Sequence, residues 1–365
     1  MYEERIELYR EYFGEKEKVL LKKGQFQVSL FRYPSGVCCA KVSNEKGFFT
    51  VLPYQGQQIW RMEFLNHALV MKSEFEEPVP TSDFHTNYGM FLLHCGLTAM
   101  GNPTKEDTHP QHGELPFAVY NEAFILSGSD EKGEYIGVGG VYNHARAFRV
   151  NYDFQPVYKL YSGASTIDVE VSFLNKRSDP LEYFYMCHIN YRPVDGSRLE
   201  YSAERETIKP HYAPSPRLSE EKMLKYNEYF DKISKDPSIP DFVDKENQMY
   251  EPEICSTVTY DHDADNYAHT LQVLPDGFSC YVRHDPTVLP IGLRWIARTC
   301  GEDAMGMVLP ATAEHLGYLY CKAHHFERYL DPGKTVTYKI KTGILDPDGT
   351  KEIKQKIDRI MERGG

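Results

Sequence analysis

Imidazole is the side chain that gives or takes a proton near neutral pH, and this chain concentrates it. Four of its 14 histidines (His85, His94, His109 and His112) fall within one stretch of 28 residues. The stretch reads His85-Thr86-Asn87-Tyr88-Gly89, then Leu93-His94-Cys95-Gly96-Leu97, then His109-Pro110-Gln111-His112-Gly113-Glu114-Leu115-Pro116. His112 carries most weight, because it sits beside Gly113 in a proline-bearing loop. Glu114 follows two residues on, and in an extended segment it would share a face with His112. An imidazole and a carboxylate on one face suit general acid–base work.

Two later segments add to this one. In Tyr185-Met186-Cys187-His188-Ile189-Asn190-Tyr191-Arg192-Pro193, His188 and Asn190 fall on one face of a strand, with Cys187 and Ile189 on the other. Such a strand can line a cleft while closing a core. Leu289-Pro290-Ile291-Gly292-Leu293-Arg294-Trp295 then places one of the two tryptophans beside an arginine. An indole can stack on the C–H face of a sugar, and a guanidinium can bond several hydroxyls; a tryptophan of the core fits these residues equally well. Other signals lead nowhere. Gly137-Val138-Gly139-Gly140 lacks the setting of a dinucleotide loop, and neither a Walker loop nor a G-x-S-x-G elbow occurs. The doublet His324-His325 reads as part of a strand, so its rings would point to opposite faces.

The elements that must position these residues read as strands. Phe26, Val28 and Leu30 alternate with polar residues. So do Ile167, Val169, Val171 and Phe173, and later Val336, Tyr338 and Ile340. Pro34-Ser35-Gly36 and Asp276-Gly277 mark turns, the second between two strand-like runs. Many short strands without a βαβ rhythm predict an all-β fold, a large antiparallel β-sandwich with short helical decorations. One domain is expected over 1–365, with its core at about 24–346. Terminal helices are expected at 1–13 (Ile6, Tyr9 and Phe13 near one face) and 351–363 (Ile353, Ile357 and Ile360 inward). A helical insertion, fenced by prolines, is expected at about 207–250, with Ser219 at its helix start.

Bulk properties narrow the partners. The net charge of −12 argues against nucleic acid and anionic membranes, which reward clustered Lys and Arg. No run approaches the length of a membrane span. Met1-Tyr2-Glu3-Glu4-Arg5 lacks the basic-then-apolar pattern of a secretory leader. The eight cysteines include no C-x-x-C pair and read as reduced thiols of a cytoplasmic protein. Assembly as a homodimer is left open.

Taken in order, these segments resemble the aldose-1-epimerase (galactose mutarotase) superfamily, and in particular its little-characterised bacterial branch. The residues that carry the resemblance are Gly89, Cys95-Gly96-Leu97, Gly101-Asn102-Pro103, His112-Gly113-Glu114, Pro116, His188-Ile189-Asn190, Leu289-Pro290, Trp295, Leu309-Pro310-Ala311 and Pro332-Gly333. The resemblance covers most of 24–346. It implies a β-sandwich with an open sugar cleft, no metal or other cofactor, and a monosaccharide as small-molecule partner. It also implies catalysis at the anomeric centre, in which a base takes the hydroxyl proton while an acid protonates the ring oxygen. By position, His188 would be the acid and His112 a binding residue. Asn190, Arg192, Arg294, Trp295 and His109 are expected to contact the sugar. Two departures stand out. The position of the usual glutamate base holds Leu309, with Glu314 five residues on, and the residue after His112-Gly113 is Glu114 where the branch has arginine. Three readings follow. Glu114 has joined His112 and His188 in catalysis; or the protein binds a saccharide without catalysis; or His109, His112, Glu114 and His188 hold a divalent ion for keto-sugar isomerase or lyase chemistry.

Overall fold

The computed structural model describes residues 2–215, 217–246 and 253–364. Two antiparallel sheets face each other. The nine-stranded sheet runs Tyr2–Leu8, Glu122–Asp130, Gly133–Arg146, Val150–Tyr161, Thr166–Asn175, Thr335–Leu345, Ser279–His284, Ala268–Val273, Arg198–Tyr201. The thirteen-stranded sheet carries the histidine segments. Its central strands are Ile254–Val258, Ile291–Arg298, Asp303–Ala311, Leu181–Ile189, Leu92–Leu97 and Ile59–Phe64, in that spatial order. The period-two pattern seen in the sequence becomes burial. Ile167, Val169, Val171 and Phe173 point into the sandwich, while Asp168, Glu170 and Ser172 stay half-exposed.

Tyrosines tie the sheets together. The buried Tyr191 hydroxyl donates to the Tyr281 carbonyl (2.9 Å), accepts from the Gly343 N–H (2.9 Å) and lies 2.6 Å from Thr342 Oγ1. His94, one of the four clustered histidines, is held between the Tyr185 and Tyr158 hydroxyls at 2.9 and 2.8 Å. It is therefore a polar pin of the core. The abundance of tyrosine follows from this use: a ring that packs and a hydroxyl that bridges.

Two strands at the centre of the larger sheet part between two pins. Leu181–Ile189 meets Asp303–Ala311 at Met186–Ala311. The chains meet again where the Tyr191 and Met305 backbones exchange hydrogen bonds of 2.9 and 2.8 Å. On the far side of Asp303–Ala311, Leu293 pairs with Leu309 but Trp295 with Gly306. One extra residue is thus inserted between Gly306 and Leu309, a β-bulge that changes which side chains face the cleft.

The helices differ in part from expectation. Residues 1–13 do not form a helix. Tyr2–Leu8 is an edge strand paired along its length with Glu122–Asp130, followed by a single 3-10 turn at Arg10–Tyr12. A helix this short is marginal alone, whereas the sheet edge satisfies the backbone at once. The last helix spans Pro347–Gly364 and buries Ile353, Ile357 and Ile360. The insertion carries helix Glu220–Lys235, capped by Ser219 Oγ accepting from Lys222 N (3.3 Å); its residues 216 and 247–250 lie outside the described set. His324 and His325 follow the short helix Tyr318–Ala323 and are not on a strand. No helix among the described residues is long and apolar enough to cross a membrane.

Candidate functional site

A cleft of about 500 Å³ opens over the parted strands. His188 and Met186 come from Leu181–Ile189, Leu293, Trp295 and Ala297 from Ile291–Arg298, Leu309 from the bulged strand, and Glu253 and Cys255 from the start of Ile254–Val258. The loop after Leu92–Leu97 supplies Asn102, Gln111 and His112. His112 has φ +59° and Gly113 φ +82°, so the chain makes two successive left-handed steps here. A Cβ at position 113 would lie 2.2 Å from the Ala99 carbonyl oxygen. Only glycine fits, and its fold-back turns the preceding imidazole towards the sheet.

The rings form one contiguous wall. His112 and His188 centroids are 5.6 Å apart, His188 lies 5.4 Å from Trp295, and Phe84 lies 5.0 Å from His112. Tyr88 stands 6.1 Å from both His188 and Trp295. Among the described residues, His112 Nδ1 and His188 Nδ1 are buried without a hydrogen-bond partner. Buried polar atoms are rarely left so, and two at one cleft suit a polar ligand. Burial holds His188 down at about 4, against a pull upward from its bond with Asn190. His112 is held well below the usual imidazole value by burial, and by the neighbouring histidines, His188 first among them. At neutral pH both are uncharged, each with one donor and one acceptor.

The other expected site residues are distributed unevenly. Trp295 lines the cleft, and its Nε1 donates to Glu253 Oε2 at 2.6 Å. Asn190 is buried behind the wall, where it donates to the Met90 carbonyl (3.0 Å) and accepts from the Tyr88 hydroxyl (3.1 Å); it positions Tyr88 rather than meeting a ligand. Arg192 is exposed and outside the cleft. Arg294 alternates with Trp295 on the strand and so points the other way. It is buried, paired with Asp241 at 2.6 Å and stacked on Tyr201. Substituting Asp241→Ala should therefore cost about 3–5 kcal/mol, because it strands a buried guanidinium; urea unfolding monitored by fluorescence measures it, and a loss under 1 kcal/mol would refute the burial.

Glu114 and His109 belong to a different cavity, on the far side of the His112 loop. Glu114 is occupied there by the Thr98 N–H (3.0 Å), the Thr98 hydroxyl (2.8 Å) and the Tyr152 hydroxyl (2.7 Å). Left-handed backbone at 112 and 113 breaks the alternation that would have put His112 and Glu114 on one face. His109 Nε2 accepts from the Tyr318 N–H at 3.2 Å. The four-residue metal set does not converge, and no group of metal-ligating side chains occurs among the described residues. Leu309 lines the cleft where the resemblance places a glutamate; Glu314 instead takes the Tyr320 hydroxyl at 2.9 Å.

Sequence reasoning missed Glu253, Glu302 and His315, all of which line the cleft. No motif marks them. Glu253 reaches the site from just before Ile254–Val258, His315 from the loop after Asp303–Ala311, and Glu302 from a hairpin tip. Burial and the nearby Glu74 raise the Glu302 carboxyl, with His85 opposing.

A described family covers most of this sequence, matching residues 34–344. The chain belongs to the DUF4432 family, a domain family of unknown function. No curated protein matches it by sequence. Solved structures resemble it in fold. A candidate aldose 1-epimerase from Klebsiella pneumoniae has a TM-score of 0.80 at 14% identity, with 99% of this chain and 96% of that one covered. A galactose mutarotase-like protein from Clostridium acetobutylicum has a TM-score of 0.57 at 12% identity, covering 88% and 99%. A candidate aldose 1-epimerase from Escherichia coli K12 has 0.52 at 13%, covering 84% and 98%. At these identities the likeness establishes the fold, a galactose mutarotase-like β-sandwich.

Proposed function

We propose that this DUF4432 member binds a monosaccharide in the cleft and interconverts its anomers, as an isomerase of aldose-1-epimerase type. The observation that carries the reading is the meeting of His112 and His188, 76 positions apart in the chain, with ring centroids 5.6 Å apart beside Trp295. Indole offers a face for the C–H side of a pyranose. The imidazoles, with the amides of Asn102 and Gln111, offer donors and acceptors to its hydroxyls. Ring opening needs a group to take the anomeric proton while another protonates the ring oxygen, and closure on the opposite face reverses both transfers. Glu253, held by the Trp295 indole, supplies the carboxylate that Leu309 lacks. His188 supplies the proton, and His112 fixes the ring. Eight cysteines, none bonded to another, suit action in the reducing cytoplasm.

The test mixes enzyme with a freshly dissolved pure anomer and follows exchange by NMR. Acceleration over the buffer rate is expected for at least one aldopyranose. Binding without acceleration favours a second reading, a sugar-binding protein without catalysis. The observation on its side is Leu309 itself, an alkyl group where the resemblance expects a base.

A further inference from the structure

This inference rests on the sugar reading above and concerns which class of sugar the cleft takes. The described lining contains two carboxylates, Glu253 and Glu302, and no lysine or arginine. Burial keeps His112 and His188 uncharged at neutral pH. The two carboxylates differ in what they already hold. Glu253 is engaged by Trp295 Nε1 at 2.6 Å. Glu302 sits at the tip of the hairpin between Ile291–Arg298 and Asp303–Ala311. Its backbone is tied to Thr299, with the Glu302 N–H donating to Thr299 Oγ1 at 3.0 Å and the Thr299 N–H to the Glu302 carbonyl at 2.8 Å. Its half-buried carboxylate makes no hydrogen bond or ion pair to another described side chain. Glu74 packs against the same tip: a Cβ at Gly301 would come within 2.1 Å of its Oε1. Lys72 and Lys245 reach the tip only at the Cys300 and Thr299 carbonyls (3.2 and 3.0 Å) and do not line the cleft.

A second, independent feature points the same way. Phe84, Tyr88 and Trp295 line one side of the cleft, with Phe84–Tyr88 centroids at 4.9 Å and Tyr88–Trp295 at 6.1 Å. Adjacent aromatic faces attract a cation. A site with two carboxylates, aromatic walls and no lysine or arginine in its lining, His85 being the imidazole that faces Glu302, disfavours phosphate, sulfonate and uronate groups and gains from an ammonium.

We propose that the cleft is selective for amino sugars, with the substrate ammonium lying between the Glu302 carboxylate and the Phe84–Tyr88–Trp295 wall.

The experiment uses the full chain and measures affinity by titration for two matched sets and one phosphorylated control. These are galactose, galactosamine and N-acetylgalactosamine; the three gluco equivalents; and glucosamine 6-phosphate. The free amine should bind about tenfold tighter than the parent hexose in at least one set, as one charge-assisted hydrogen bond at a half-buried carboxylate allows. N-acetylation should abolish the gain, 0.5 M salt should shrink it, and the 6-phosphate should bind more weakly than the amine. Glu302→Gln should reduce the amine to the affinity of the hexose while leaving hexose binding unchanged. Equal affinity for amine, amide and hydroxyl in both sets, or a preference for the phosphate, overturns this proposal and leaves the sugar reading standing. Absence of binding to every sugar overturns the sugar reading itself.

Discussion

Replacing His188 by Asn is expected to slow anomer exchange by at least about 100-fold, the usual contribution of a positioned general acid, while leaving the circular dichroism spectrum unchanged. The residue is buried in the cleft wall, and Asn fills much of its volume. Glu253→Gln should produce a loss of the same order, and the double variant should lose little more, because the two groups act on one proton transfer cycle. The pH profile separates proton transfer from mere packing. If His188 delivers a proton, kcat/KM depends on the small fraction of free enzyme in which it is charged. With its pKa held near 4 by burial, that fraction falls tenfold for each pH unit above it. The expected kcat/KM therefore rises as pH is lowered from 8 to 6. A level profile over that range, or near-normal exchange in the Asn variant, would remove His188 from the chemistry and leave it a binding residue.

Acid is expected to unfold the protein sharply, with a midpoint between about pH 4 and 5.5. Burial lowers His94, His284 and His315 to about 3 and His188 to about 4, against about 6.5 in an unfolded chain. A depressed imidazole contributes its stability fully above pH 6.5. Below that, the unfolded chain takes up the protons and the folded one refuses them, until the folded pKa is reached. At pH 5 each of the four groups has lost roughly 2 kcal/mol, about 8 kcal/mol together. A typical domain has only about 5–15 kcal/mol to lose. The carboxyls of Glu302 and Asp241, raised by burial, act in the opposite sense and return part of this. Fluorescence of Trp60 and Trp295 through a pH titration would locate the midpoint. A native spectrum at pH 3.5 would show that these imidazoles reach water in the folded state.

The fold was largely legible because it rests on alternation. The runs at 167–173 and 336–340 are strands with the expected faces inward, and the Asp276-Gly277 turn joins paired strands. Of the three residues expected from the sequence to act in catalysis, His112 and His188 line the cleft and Glu114 does not; the two imidazoles were conspicuous beside Gly113 and Asn190. The misreadings have separate physical origins. Alternation would place Glu114 with His112, but positive φ at 112 and 113 sends the carboxylate to the other side of the loop. Arg294 looked like a sugar contact because it neighbours Trp295, yet neighbours on a strand face opposite ways. The segment 1–13 looked helical because a short edge strand and a short amphipathic helix can share the same few apolar positions. Glu253 and Glu302 could not be found at all, since a lone glutamate has no spacing to read and its place depends on which strands lie side by side.

The extra residue between Gly306 and Leu309 has a consequence for how this lineage can change. Because it sets the phase of the strand, a single-residue deletion there would rotate the cleft floor by one step, withdrawing Leu309 and presenting a neighbour, while the flanking pins at Ala311 and Met305 could hold the sheet together. Reactive groups at the floor can thus be exchanged by an indel without altering the surrounding architecture. Leu309 on that floor and Glu253 at the leading edge of Ile254–Val258 line the same cleft, so a carboxylate can reach it from either strand.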